Sequence, residues 1–351
     1  MLACASASLS RALVRFPRRT KWRALVTAPW NTTKNGAHCR QAKARLATAA
    51  AAVPGHGGEA SQSELQKKVA DARGREIIAD AVIEQIDTIS PTVRKLLLRL
   101  EETAAARFHF FPGMWVDFYI PDIDKVGGYT IISLPEELPL LQLAVKVTRH
   151  PPAAWIGEKA KPGDSVILRV GGSFHLADIL PDSRGKLLTA EIPHAAPPAQ
   201  VDHLLMIAGG IGLTPLYAMV RHWASACYQV SQGKLEKALV PGRMTMIYSA
   251  KNVDELVFLK DLKDLEADTD LAGRFRLLLH VTQGQPSHGA NKGRIQLTDL
   301  VTALTETSTE EFDVEKVLCC ICGPQQMSDG VSMLLGALGL RPGQIRQEKW
   351  W

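Results

Sequence analysis

A chain of 351 residues carries 41 Lys and Arg against 36 Asp and Glu, a net charge of +5, with 46% apolar and 22% charged residues. These are the proportions of an ordinary folded protein with room for two cores, and they exclude a disordered or collagen-like chain. The positive excess is not a nucleic-acid surface, because ten of the basic residues fall within residues 1–58, which contain no Asp or Glu. The rest of the chain is mildly acidic, so no nucleic-acid partner is expected.

The leader, "MLACASASLSRALVRFPRRTKWRAL", is rich in Arg, Ser and Ala and has no continuous apolar core. Those are features of an organelle transit peptide, and they predict delivery to the mitochondrion, with the matrix as destination. Residues 1–58 are read as this leader, removed near the Ala-rich run at 47–52; a disordered basic tail is the alternative. Of six cysteines, Cys4 and Cys39 lie in the leader, and Cys227, Cys319, Cys320 and Cys322 show no disulfide spacing. No second Cys or His pair completes the 319–322 cluster, so a buried strand is expected there rather than a metal site.

Between about 70 and 185, short strands alternate with Pro, Gly and Asp clusters: "AVIEQID", "VRKLLLRL", "MWVDFYI", "YTIIS", "LQLAVKVT" and "SVILRV". This spacing predicts a small antiparallel β-barrel, with one helix at "PPAAWIGEKA". Residues 180–202, rich in Pro and Ala, read as a linker. From 200 to 351 the rhythm becomes strand–helix alternation. Strands are expected at "HLLMIA", "MTMIYSA", "FRLLLHVT" and "KVLCCICG", and helices near 215–226, 254–266, 297–305 and 325–338. That pattern predicts an α/β domain on an open parallel sheet. The apolar run at 204–220 is interrupted by three glycines and a proline, so strand, turn and helix fit it better than a membrane span.

The first strand of this domain runs into "GGIGLTP", where Gly209, Gly210 and Gly212 are poor material for helix or strand. A Gly-rich turn at the carboxyl end of a parallel strand lets the backbone approach a phosphate, which the next helix meets with its free N–H groups. Thr214 is expected to cap that helix, and Pro215 suits its first turn.

"GGIGLTP" resembles the pyridine-nucleotide turn, G-G-x-G-x-T-P, of the ferredoxin–NADP reductase-like flavoproteins. Three further stretches fall in the order of that family: "YSAKNVDELVF" (248–258), "CGPQQM" (322–327) and the terminal "QEKWW". The resemblance covers roughly residues 76–351. It implies that the barrel is of the FAD-binding type, that the second domain binds NAD(H), with NADP(H) also open, and that hydride passes from nicotinamide to flavin at the cleft. By motif position it places the nicotinamide nucleotide on Gly209, Gly210, Ile211, Gly212, Leu213, Thr214, Lys251, Cys322, Gly323, Pro324 and Met327. It places FAD on Tyr129, Thr130, Ile131, Ser133, Lys146, Val147, Ala153, Ala154, Trp155 and Trp351, with Cys322, Glu348 and Trp351 beside the reacting atoms.

The flavin motifs depart from the family. Gly127 stands where an arginine would hold the FAD pyrophosphate, and Ala153 stands for a serine; Lys146 or Arg149 could replace the lost charge. Two functions therefore stay open. One is a flavin-dependent oxidoreductase serving an external acceptor, a small molecule or carrier protein; the other is an NAD(H)-binding regulatory or scaffold module with a degenerate flavin site. The chain has no haem-attachment motif or four-cysteine iron–sulfur set, so any further electron carrier is expected to be a separate molecule. The ends of the second and third strands, "SAKN" and "TQGQ", carry Lys251 as their only cation, which favours NADH over NADPH. Trp350 and Trp351 either clasp the cleft or, in the case of Trp351, stack on the flavin.

Overall fold

The computed structural model describes residues 78–182, 200–305 and 313–349. The leader, most of the Pro- and Ala-rich linker, and Trp350 and Trp351 lie outside the described residues, together with the expectations placed on them. Two six-stranded sheets follow one another along the chain. The first contains β1 (Ile78–Ser90), β2 (Val93–Leu100), β3 (Trp115–Ile120), β4 (Lys125–Thr130), β5 (Leu140–Lys146) and β6 (Ser165–Gly171). Its order is β4-β3-β6-β1-β2-β5, with every pairing antiparallel.

The sheet curls until its two edges meet. Ile131 bridges Leu143, the Ile132 amide donates to the Gln142 carbonyl at 2.9 Å, and the Gln142 amide donates to Ser133 Oγ at 3.0 Å. Alternation fills the barrel: Leu96, Leu98 and Leu100 of β2 point inward with Leu141, Leu143 and Val145 of β5. Between β2 and β3 lies a single helical turn, α1 (Glu102–Ala105). The helix α2 (Pro151–Glu158) opens on two prolines and buries Ala153, Trp155 and Ile156 in the barrel core. Strand β4 starts earlier than "YTIIS" suggests and takes in Gly127 and Gly128, since its ladder with β3 outweighs their weak strand propensity.

The second sheet contains β7 (His203–Gly209), β8 (Arg243–Ala250), β9 (Phe275–Val281), β10 (Asn291–Lys292), β11 (Val317–Cys322) and β12 (Ile345–Glu348), in the order β10-β9-β8-β7-β11-β12, all parallel. Four helices cover it: α3 (Leu213–Ser231), α4 (Leu259–Glu266), α5 (Leu297–Thr305) and α6 (Gln325–Ala337). All seven residues of β7 are buried, because both its faces are covered. Leu204, Met206 and Ala208 meet Leu216, Val220 and Trp223 of α3, while Leu205 and Ile207 meet Leu300 of α5 and Leu335 of α6.

Three elements differ from the sequence-based expectation. The helix expected from 254 begins only at Leu259: residues 253–255 form a separate 3-10 turn, and Phe258, with a left-handed φ of 57°, is the N-cap that breaks the chain from it. The polar stretch "IRQE" forms the edge strand β12, which alternation did not reveal. The linker expected from 180 starts later, since Leu176 and Leu180 are fully buried beside α3.

The domains share one core. Val93, Ile132 and Ala144 of the barrel and Phe174 of the connection belong to the same apolar cluster as α3. Arg221 of α3 donates to the Ile132 carbonyl at 2.7 Å and to Glu137 at 3.0 Å, and Thr92 donates to Glu255 at 2.6 Å. On the far side, Arg346 of β12 forms a buried bidentate pair with Asp178 and reaches the His175 carbonyl at 3.1 Å.

The first residue of β7, His203, is fully buried and lies 3.0 Å from Thr245 Oγ1. Burial, followed by the charge of Arg243, lowers its pKa from 6.5 to about 3. The unfolded chain takes up this proton well before the folded one, so stability is whole above the unfolded pKa and falls as pH drops from 6.5 toward 3. Replacing His203→Gln should flatten the stability profile between about pH 6 and pH 4 by one proton, or ~1.4 kcal/mol per pH unit. Urea midpoints measured across that range check this; an unchanged slope would show that the imidazole is not the titrating group.

Candidate functional site

The chain leaves β7 toward β8 and β9, then crosses back to place β11 on the other side of β7. Connections diverge at this point, opening a crevice at the carboxyl ends of β7 and β11, where open parallel sheets bind ligands. The register sets Glu348, Cys322 and Ala208 in one row, with Gly209 beside Ser249 and Ser249 beside His280. Above the row, a 3-10 turn at Gly210–Gly212 leads into α3, and Gly323 and Pro324 lead into α6. Both helix N-termini therefore open on one crevice.

The glycines divide this work. A Cβ on Gly323 would fall 2.9 Å from Gly209 Cα, and one on Gly209 would fall 2.7 Å from both Pro324 Cδ and Met327 Sδ. A Cβ on Gly212 would strike the Cys322 carbonyl group, 2.6 Å from its carbon and 2.7 Å from the Gly323 nitrogen. Gly209, Gly212 and Gly323 are thus required by the approach of one turn to the other. Gly210 is different: its φ is +54° and a Cβ there would meet nothing within 4 Å. It alone of the three turn glycines faces open space, where a phosphate could lie against backbone.

Thr214 does not cap α3. Gly212 is the N-cap and no side chain caps the helix; the Thr214 hydroxyl lies inside the first turn and donates to the Ile211 carbonyl at 3.0 Å. The helix thereby keeps its leading N–H groups unblocked by a side chain of its own. Leu213 is fully buried, Ile211 is half-buried against the main core, and Met327 is half-buried over the two turns. Cys322, the last residue of β11, is completely buried, and Glu348 ends β12 beside it, half-buried.

The "YSAKNVDELVF" stretch is a fastening. Tyr248 Oη donates to the Glu255 carbonyl and accepts from the Val257 amide, both at 3.1 Å, and the Glu255 carboxylate takes the cross-domain bond from Thr92. Phe258 stacks on Tyr217 at 4.3 Å between centroids, and Tyr217 Oη donates to Asp261 at 2.8 Å. Lys251 is exposed just past β8, where its carbonyl accepts the Gln283 amide at 2.7 Å and joins the loops that follow β8 and β9.

On the barrel side, Tyr129 and Gly127 share the inward face of β4 opposite Val116 and Phe118. The Tyr129 ring meets Phe118 edge-on at 5.7 Å, and its hydroxyl turns back over Gly127. A Cβ on Gly127 would lie 2.6 Å from that oxygen and 2.9 Å from Pro152 Cβ at the start of α2. The hydroxyl is buried with no hydrogen-bond partner, and burial raises its pKa. An unsatisfied buried donor beside a helix N-terminus fits a missing acceptor such as the phosphate of a flavin nucleotide. Of the other predicted flavin residues, Ile131, Ala153 and Trp155 are in the barrel core, and Ser133 is bound to Gln142. Ala154 and Val147 are half-buried, Val147 beneath Gly157, and Thr130 is buried on the outward face opposite Trp115. Lys146 pairs with Val93 on the outward face, and Arg149 is exposed ahead of α2.

The barrel and the nucleotide turn are in contact, since Ala144 of β5 packs in one cluster with Leu213 and Leu216 and β5 abuts the 210–212 turn. Residues 206–333 match the sequence family described as Oxidoreductase NAD-binding domain. Over 290 residues, 82% of this chain and 97% of its relative, the chain is 33% identical to Oxidoreductase NAD-binding domain-containing protein 1 of Danio rerio. It belongs to that family.

Among solved structures, the cytochrome b5 reductase domain of Ulva prolifera nitrate reductase matches with a TM-score of 0.57 at 20% identity, covering 78% of this chain and 98% of that one. A ferredoxin NADP+ reductase from Neisseria gonorrhoeae, solved with bound FAD and NADP, matches with a TM-score of 0.56 at 18% identity, covering 78% and 99%. The fold is thus that of the ferredoxin–NADP reductase-like proteins, as the motifs implied. Among the described residues no cluster could hold a metal ion and no helix is long and apolar enough to cross a membrane.

Substitutions should separate the two kinds of glycine. Gly212→Ala forces backbone into backbone and should lower stability by about 2–4 kcal/mol. Gly210→Ala meets only the left-handed penalty of about 1–2 kcal/mol, yet should weaken NAD(H) binding by more than its effect on folding. Thermal melting and calorimetric NAD+ titration of both variants check this; equal losses of stability would contradict the division.

Proposed function

We propose that this protein is an NAD(H)-dependent flavoprotein oxidoreductase that delivers electrons to an external acceptor, a small molecule or a carrier protein. One observation carries this reading. The crevice turn packs directly on barrel strand β5, while the adjoining strand β4 and helix α2 enclose an unsatisfied tyrosine hydroxyl. A nucleotide on the turn and a flavin on the barrel would be neighbours.

Bound flavin would supply a centre that accepts two electrons as hydride and releases them onward. The residues of the chain orient and shield. Gly210 gives the pyrophosphate of NAD(H) access to the backbone, and the N-termini of α3 and α6 offset its charge. Buried Cys322 forms part of the crevice floor, and Arg346, paired with Asp178, holds β12 so that Glu348 stays in the row beside it. Exposed Lys251 stands where the adenosine end would lie, one cation, which favours NADH over NADPH.

A second reading keeps the nucleotide site and drops the flavin, leaving an NAD(H)-binding regulatory module. It is favoured by the Tyr129 ring lying across Gly127, in the space that an arginine would use. Purified protein separates the two. The oxidoreductase should retain flavin near one per chain, and that flavin should bleach on anaerobic addition of NADH, with NADPH at least about tenfold less efficient. Colourless protein that binds NADH and takes up no added flavin would establish the second reading.

A further inference from the structure

We infer that Arg94 supplies the cation for the flavin pyrophosphate, replacing the β4 arginine whose place Gly127 takes. The inference rests on the proposed flavoprotein function and deepens it. Arg94 lies on β2 in register with Val145 of β5, and Val145 points into the barrel core. Side chains two apart on a strand share a face, so Arg94 lies on the inward side of β2 with Leu96 and Leu98.

Strand β4 adjoins β5 on its other side through the Ile131–Leu143 bridge. Counting two residues back along β4 and two forward along β5 brings Tyr129 level with the same Val145. Arg94 and Tyr129 thus flank one position from either side, separated by two strand spacings of about 4.8 Å each. An arginine side chain crosses most of that gap. Helix α2 covers this end of the barrel, running from Pro152 above Gly127 to Gly157 above Val147.

Both side chains carry an unanswered polar atom here. Among the described residues, Arg94 Nη1 is buried and has no hydrogen-bond partner, and neither has the Tyr129 hydroxyl. Two other arginines of the barrel sheet each face a carboxylate, Arg99 on Glu84 and Arg169 on Asp117, whereas no carboxylate pairs with Arg94 among the described residues. Lys95, next to Arg94 but on the outward face, pairs with Asp87 at 3.7 Å. A guanidinium nitrogen can only donate, so what the pair lacks is an acceptor. Leaving such a donor buried and unpaired is costly, and a phosphate oxygen satisfies an arginine with charge-assisted bonds. Neither Lys146, on the outward face, nor Arg149, exposed in the loop, shares this inward position.

The test compares flavins with and without phosphate. Quenching of flavin fluorescence gives the affinities of FAD, FMN and riboflavin for the full chain, its Arg94→Met and Arg94→Lys variants, and Tyr129→Phe. Arg94→Met should weaken FAD about tenfold or more while riboflavin binds as before. Arg94→Lys should recover part of the loss, and Tyr129→Phe, which removes only the hydroxyl, should weaken FAD over riboflavin in the same sense. Equal weakening of FAD and riboflavin, or unchanged FAD affinity in Arg94→Met, would overturn the role of Arg94 alone. Absence of flavin binding by the unaltered protein would overturn the flavoprotein function itself, and NAD+ affinity, expected to be equal in all variants, reports whether each is folded.

Discussion

Two backbone turns touch at the carboxyl ends of β7 and β11, and the functional half of the molecule depends on that contact. Gly323 approaches Gly209 closely enough that a Cβ would lie 2.9 Å from the neighbouring Cα, and Gly212 rests on the carbonyl group of Cys322. Any side chain at these positions would push the strands apart at the point where their connections diverge. With glycine, α3 and α6 both start within reach of one crevice, so two helix N-termini open on it together. Three glycines of the two motifs thus build the crevice by packing, and Gly210 is left facing open space.

A second constraint fixes the barrel against this crevice. The apolar cluster beneath α3 continues without a break into Val93, Ile132 and Ala144 of the barrel. Polar fastenings ring it: Arg221 on Ile132 and Glu137, Thr92 on Glu255, and Arg346 on Asp178. A large apolar interface of this kind resists relative domain motion. The edge strand β12, polar and short, holds its place through the Arg346–Asp178 pair as much as through its ladder with β11.

Much of this was legible in the sequence, for reasons that residues make plain. Strand β7 reads as a strand because burial on both faces demands an uninterrupted apolar run, and β2 matches its predicted bounds of 93–100 because its short leucine-rich run is set off by turn residues before it. Strand β12 was hidden, since four polar-rich residues carry no periodicity and gain order only from a partner distant in sequence. Phe258 hid the late start of α4, because nothing in "DELVF" announces a left-handed residue. The glycine turn was found by motif, but only coordinates divide packing glycines from the open one. Arg94 was missed for a related reason: "VRKLLLRL" shows a basic residue, and its inward position with no carboxylate partner among the described residues appears only once the strands are assembled.

The central claim is that nicotinamide on the crevice turn and flavin on the barrel lie close enough for direct hydride transfer within one chain. Anaerobic rapid mixing with NADH carrying deuterium at the transferable C4 position tests it most directly. Direct transfer predicts that flavin bleaching slows by a primary isotope effect, with a rate that does not depend on protein concentration once NADH saturates. Bleaching without an isotope effect at saturating NADH and with a rate proportional to protein concentration would place the reacting partners on separate molecules and contradict the account.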